Sequence, residues 1–320
     1  MKISVLGCGR WGSFIGWYLV NQGHDVCQWG RENSPSYLKL KNDGKNEYLT
    51  LDDRINLTSS LDLAVNHAEI IVISISAQGL RQFAKTLVDI GVDDKKIVLC
   101  MKGLEESTGK RLTEVVKECG VNSENIAVWV GPGHIQEFLK GKPNCMIIDS
   151  ENKDLIKYLA DSWRSKLIRF YYGDDLIGSE IGAAAKNVMG IAAGMLDGGE
   201  ATTLKGSLMA RGAREVGRLI KALGGKELSA YGLCHLGDYE TTLFSPHSHN
   251  RQFGEDYVKG KKFDKLAEGV ATTKALKKLG EEYGVDLPIT NAVYKIIYEK
   301  QNPKEVFDDL FSRTTRKEFD

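Results

Sequence analysis

The sequence predicts an α/β chain: a doubly wound, mostly parallel sheet with helices on both faces, followed by an all-α C-terminal domain. Three observations carry this expectation. The N-terminus runs from a short apolar strand through a glycine-rich loop into a helix; apolar strand-like runs then alternate with helical periods; and after Tyr172 the strand pattern stops. At 320 residues the chain exceeds one average domain. A boundary near residue 175 follows, giving a sheet domain over 1–175 and a helical domain over 176–320.

Taken in order, Ile3, Val5 and Leu6 suit a strand buried on both faces. Gly7, Gly9 and Gly12 come next, Phe14, Ile15, Tyr18 and Leu19 recur at helical spacing, Gly23 closes the helix, and "DVCQWGRE" supplies a second strand. This is the dinucleotide-binding order of a Rossmann-like fold. Its first glycine makes the tight turn, its second lets backbone approach a pyrophosphate, and its third packs helix on strand. At the end of the second strand an acid would hold a ribose hydroxyl, whereas an arginine favours the 2′-phosphate of NADP. Arg31 and Glu32 stand side by side with the arginine first, so the lean is to NADP with NAD left open. The polar stretch 32–49 reads as a loop-rich insertion. Further strands are expected in "EIIVISIS", "KIVLCM", "NIAVWV", "CMIID" and "LIRFYY".

In an open sheet the ligand lies beyond the carboxyl ends of the strands. Lys102 follows "KIVLCM", where its ammonium can reach a phosphate or a carbonyl oxygen, although most surface lysines are merely solvated. Gly131 and Gly133 follow "NIAVWV" and offer bare backbone to a ligand, or simply a tight turn. In the helical half, Lys186 and Asn187 are the only polar side chains between Ile181 and Met195, and the helical neighbours of Lys186 are small or apolar. Burial there should lower the lysine pKa and suit it to proton donation, and small neighbours would let a flat ring approach; a structural ion pair is the alternative. Asp238, Thr242, Ser248, Asn250 and Arg251 form a polar stretch able to converge on a polyol phosphate. His235, His247, His249 and Asp238 include an H-x-H spacing compatible with a metal but lack a recognised ligand pattern, so no metal is expected. Glu268 opens a helix, where a carboxylate stabilises the helix end even without a ligand.

Composition narrows the class of partner. Lysine plus arginine equals aspartate plus glutamate at 43 each, which offers no field for nucleic acid or an acidic membrane. The first residues are strand rather than leader, and no apolar run is long enough to span a bilayer, so a cytoplasmic location is expected without membrane insertion. Six cysteines are scattered without paired spacing and read as free thiols.

The motifs "GCGRWG", "MKGLE", "GPG", "GAAAKNVMGIAAGM", "GLCHLGD", "SPHSHNRQFG", "AEGVATTKAL" and "LPITNAVY" resemble, in order and almost end to end, bacterial glycerol-3-phosphate dehydrogenases that use NAD or NADP. The resemblance implies reversible hydride transfer between NAD(P)H and dihydroxyacetone phosphate, giving sn-glycerol 3-phosphate for phospholipid synthesis. It implies Lys186 as general acid, Asp238 as the group that orients it, and Lys102 and Asn187 as substrate-positioning groups beside Gly131 and Gly133. Ser248, His249 and Asn250 match the stretch that grips phosphate, with Thr242 a further substrate contact. Gly7, Gly9, Arg10, Trp11, Gly12, Arg31, Lys102, Ile135, His249 and Glu268 match cofactor positions. Three departures stand out. Gly133 replaces a serine and Ile135 an alanine, while His249 replaces an arginine that binds phosphate, with Arg251 placed to compensate. Two other readings remain: another two-domain reductase of the β-hydroxyacid dehydrogenase or ketopantoate reductase type, and a non-enzymatic NAD(P) sensor. The helical domain offers a face for a homodimer, although no residue pattern fixes one.

Overall fold

The computed structural model describes residues 1–315, 317 and 318. The chain divides into two units, one formed by Met1–Met101 with Leu112–Leu176, the other by Lys102–Arg111 with the chain from Ile177 onward.

The first unit is built on eight strands: β1 (Lys2–Leu6), β2 (Asp25–Trp29), β3 (Asn56–Thr58), β4 (Ile70–Ile73), β5 (Lys96–Leu99), β6 (Ile126–Val130), β7 (Asn144–Ser150) and β8 (Ile168–Tyr172). They lie in the order β3-β2-β1-β4-β5-β6-β7-β8. Every neighbouring pair is parallel except β6 with β7. The helices α1 (Arg10–Asn21), α2 (Pro35–Asp43), α3 (Leu61–His67), α4 (Leu80–Ile90), α5 (Leu112–Glu118), α6 (Ile135–Leu139) and α7 (Lys153–Trp163) connect them. Strand order reverses between β1 and β4, so the glycine loop after β1 opens where a doubly wound sheet holds its ligand. All four residues of β4 are buried, as both-face coverage of a parallel sheet demands.

The stretch 32–49, expected as loop, contains the helix α2. Ser34 caps it by accepting a hydrogen bond from the Tyr37 backbone, Pro35 opens it, and Gly44 ends it in the left-handed region with φ +63°. Only Tyr37 and Leu40 of its nine residues are buried, which is why the stretch reads as polar. The three-residue β3 is too short to show alternation in the sequence.

The second unit centres on α8 (Leu176–Gly198), buried continuously from Gly178 to Leu196. Around it lie α9 (Lys205–Ala222), α10 (His249–Val258), α11 (Glu268–Glu282), α12 (Pro288–Tyr298) and α13 (Pro303–Phe311). Their shared core includes Ile181, Val188, Met189, Tyr239, Leu276 and Ile296. Leu104 belongs to that core at 0 % exposure, and Arg111 pairs with Glu180 at 2.8 Å. These contacts explain why residues 102–111 pack with the second unit, a detail that the single boundary near 175 does not contain. Among the described residues no helix is long and apolar enough to cross a membrane.

Candidate active site

Lys186 and Asn187 sit at the middle of α8, where the helix has no solvated face. The buried lysine finds its partners on two turns that follow α9: a tight turn over Leu236–Asp238 and a wide π-turn over Glu240–Phe244. Lys186 Nζ lies 3.0 Å from Asp238 Oδ2 and donates to Thr242 Oγ1 at 2.9 Å. Lys102 Nζ donates to the same Asp238 oxygen at 2.7 Å. Asn187 completes the group, its Nδ2 donating to the Lys102 carbonyl at 3.0 Å. The structure thus brings together five residues that the sequence separates by up to 140 positions, between Lys102 and Thr242.

Asp238 is 1 % exposed, and burial alone would push its carboxyl up. The charges of Lys102 and Lys186, with hydrogen bonds from Lys102 and Thr241, instead hold it below the usual carboxylate range. One carboxylate therefore serves two ammonium groups in a largely buried site. The Thr241 hydroxyl also donates to Asp238, a contact that no spacing in the sequence signals. His235, fully buried beside this group, adds no charge. Burial pushes its imidazole down to about 4, its Nδ1–H faces the Gly182 carbonyl at 3.0 Å, and its Nε2 accepts from Tyr239 at 2.7 Å.

The small residues of α8 serve packing rather than the approach of a flat ring. A β-carbon on Gly190 would lie 2.8 Å from Thr242, and one on Gly194 would lie 1.9 Å from the Arg251 carbonyl. The glycines thus let α10 and the π-turn seat directly on the α8 backbone, which corrects the expectation from sequence.

Beyond this group, Ser248 caps α10 by accepting from the Arg251 backbone at 3.3 Å, and Asn250 Oδ1 accepts from Gly269 at 2.9 Å, tying α10 to the start of α11. His249 lies edge-on to Phe263 with centroids 6.4 Å apart. Glu268 is the first residue of α11. Arg251 does not stand ready for a substrate. Its guanidinium is bound by Asp197 and by Glu255, the latter at 3.0 Å, while Lys205 holds Asp197 from the other side at 2.7 Å. Among the described residues no group of three or more His, Cys, Asp or Glu side chains is arranged to hold a metal.

In the first unit, a β-carbon on Gly12 would lie 2.0 Å from the Gly7 carbonyl oxygen, so the third glycine is required for the loop to close on α1. Nothing lies within 4 Å of the position a Gly9 side chain would take. The loop therefore keeps an open face where backbone can meet a ligand. Trp11 packs edge-on to Phe14 and Phe138 at 5.5 and 6.4 Å, Arg10 lies 6.0 Å from the centroid of the Tyr48 ring, and Arg31 and Glu32 are exposed. Gly131 adopts φ +132° with Met146 backbone 3.0 Å from its missing β-carbon. At Gly133 a β-carbon would fall 2.4 Å from the Phe138 ring, so a serine there would require that ring to move. Ile135 is 1 % exposed and packs in the sheet core, so its side chain offers no surface to a cofactor.

Known proteins resemble the chain throughout. Residues 2–156 match the model of the NAD-dependent glycerol-3-phosphate dehydrogenase N-terminus, and residues 175–308 match that of the C-terminus. The glycerol-3-phosphate dehydrogenase [NAD(P)+] of Prosthecochloris aestuarii is 34 % identical over 99 % of this chain and 100 % of its own length. That of Fusobacterium nucleatum is 34 % identical over 99 % of this chain and 98 % of its own. Among solved structures, glycerol-3-phosphate dehydrogenase from Coxiella burnetii aligns with a TM-score of 0.88 at 26 % identity, covering 97 % of this chain and 98 % of that one. A 2-dehydropantoate 2-reductase from Enterococcus faecalis shares the fold at a TM-score of 0.58 and 16 % identity, over 96 % of this chain and 99 % of that one.

Proposed function

The chain belongs to the NAD-dependent glycerol-3-phosphate dehydrogenase family, whose reaction interconverts dihydroxyacetone phosphate and sn-glycerol 3-phosphate, and from that premise we propose which of its residues do the work. NAD(P)H, when bound, supplies the hydride to the carbonyl carbon. The chain's own residues must then stabilise and neutralise the alkoxide that forms on the carbonyl oxygen.

Lys186 is the proton donor. The observation that carries this assignment is its burial on α8 at 8 % exposure, with Asp238 within 3.0 Å. The Asp238 carboxylate lies against the ammonium, and the Thr242 hydroxyl fixes its direction. After transfer to the alkoxide, the neutral amine regains a proton from solvent, and in the reverse reaction it accepts one from the alcohol. Lys102, on the same carboxylate, supplies the second positive charge for the developing oxyanion and for the phosphate. Asn187, Gly131, Gly133 and Thr242 position substrate, while Ser248, His249 and Asn250 bind the phosphate. The open face of the Gly7–Gly12 loop fits a pyrophosphate. Gly7, Gly9, Arg10, Trp11, Gly12, Arg31, Lys102, His249 and Glu268 hold the cofactor, and exposed Arg31 after β2 favours the 2′-phosphate of NADP. The cofactor thereby falls mainly to residues 1–175, with His249 and Glu268 added from 176–320, and the substrate mainly to 176–320, with Lys102, Gly131 and Gly133 added from 1–175. A homodimer and a cytoplasmic location complete the proposal, to be checked by sedimentation and by cell fractionation.

The test is oxidation of NADPH and of NADH with dihydroxyacetone phosphate, beside the unphosphorylated ketone, in wild type and Lys186→Ala. Loss of about a thousandfold in kcat with cofactor affinity retained is the expected result. A variant retaining more than a tenth of the rate would remove Lys186 from the mechanism. Faster turnover with NADH than with NADPH would overturn the assignment to Arg31.

A further inference from the structure

Gln28 lies in β2 at 0 % exposure, a fully buried amide in a strand whose other inner residues are apolar. Its Nε2 donates to the Gly7 carbonyl at 2.5 Å. Since the Gly7 oxygen can only accept, the amide nitrogen must face it, which sends Oε1 the other way. Oε1 has no hydrogen-bond partner among the described residues. On the helix side α1 comes so close at Gly16 that a β-carbon would lie 2.2 Å from Oε1. The fold thus tolerates an unsatisfied acceptor and a helix glycine to keep this amide against the loop, and each is a stability cost.

What the arrangement secures is the direction of one peptide plane. Gly7 adopts φ +132°, its N–H donates to the Trp29 carbonyl at 2.8 Å, and its carbonyl oxygen lies directly under Gly12. The chain has no cis peptide among the described residues, so with the Gly7 carbonyl aimed inward at Gln28, the N–H of Cys8 points outward on the opposite side of the plane. Outward N–H groups are what an anionic pyrophosphate meets at such a loop, and a reversed peptide would present it with a carbonyl oxygen instead.

We propose that Gln28 is a positioning residue for the cofactor: it acts through Gly7 to hold the glycine loop in the orientation that accepts a pyrophosphate. The proposal rests on the reading of Gly7–Gly12 as the nucleotide loop. It predicts that Gln28→Met and Gln28→Leu, which fill the same space without a donor, weaken NADPH and NADH alike by about tenfold, because the pyrophosphate is common to both. At saturating cofactor, kcat and the KM for dihydroxyacetone phosphate should stay within about twofold, and Tm should change by only a few degrees, because the unpaired Oε1 disappears while the Gly7 carbonyl loses its donor. Affinities would be read by titrating intrinsic tryptophan fluorescence, to which Trp11 in the loop contributes, and Tm by calorimetry. Unchanged Kd values in folded variants would overturn the proposal. So would a loss of affinity that merely follows a loss of Tm, since that is the mark of a general packing role. If wild type itself bound neither nucleotide, the parent reading of the loop would fall first and this inference with it.

Discussion

His235 shows how strongly one buried side chain can tie the stability of the site to pH. Its imidazole is held at about 4 against an ordinary 6.5, chiefly by burial, so the folded protein keeps it neutral where the unfolded chain would protonate it. The unfolded state binds the extra proton, and stability is lost as pH falls from about 6.5 towards 4, by an amount of order 3 kcal/mol. His235→Gln, titrated by urea unfolding across that window, should lose distinctly less stability than wild type; parallel curves would show that His235 is not the sensor. At His249 the residue type matters in a different way. A histidine stands where the resemblance calls for a phosphate-binding arginine, and Arg251 is bound up with Asp197 and Glu255. Above neutral pH an imidazole is the neutral form, whereas a guanidinium keeps its charge. His249→Arg should therefore lower the KM for dihydroxyacetone phosphate on the alkaline side, and an unchanged or higher KM there would argue that the phosphate is held elsewhere. Lys186 was legible because a lysine in an alanine and glycine helix has nowhere to go unpartnered, whereas Asp238 as its partner was implied only by the family resemblance. Thr241 and Gln28 were not, because a hydroxyl or an amide becomes informative only once its neighbour is known.

The helices of the second unit are packed by what their sequences leave out. Gly194 and Gly254 let α8 and α10 touch backbone to backbone, with a Gly254 β-carbon 2.1 Å from the Ile191 carbonyl. The sequence displays those glycines plainly, but it does not say whether a ligand or another helix fills the space. Gly194→Ala would force α10 outward at a cost of about 1–3 kcal/mol. Since α10 follows Ser248 and carries Asn250, both assigned to the substrate phosphate and not to the cofactor, the variant should raise the KM for dihydroxyacetone phosphate more than the Kd for NADPH. Equal changes in both would mean that α10 has no special tie to substrate. In the first unit, α2 carried readable signals at both ends in Ser34, Pro35 and Gly44, yet its exposed faces disguised it as loop. The three-residue β3 has no comparable signal, because its existence depends on pairing with β2.

At the scale of the whole molecule, the alternation of strands and helices made the sheet legible, and its end after Tyr172 made the helical half legible. Both signals are local periodicities, and neither can report that a short segment has joined a distant core. Residues 102–111 do so, with Leu104 in the helical core and Lys102 on Asp238. That feature bears on how the protein is made. As the chain leaves the ribosome, this decapeptide emerges well before α8 and Asp238 exist, so the first unit must fold while holding ten residues in waiting. Ribosome-bound chains arrested after residue 176 should accordingly be cut by protease within 102–111, whereas full-length chains should resist. Equal resistance in both would show that the segment acquires its order from the first unit alone.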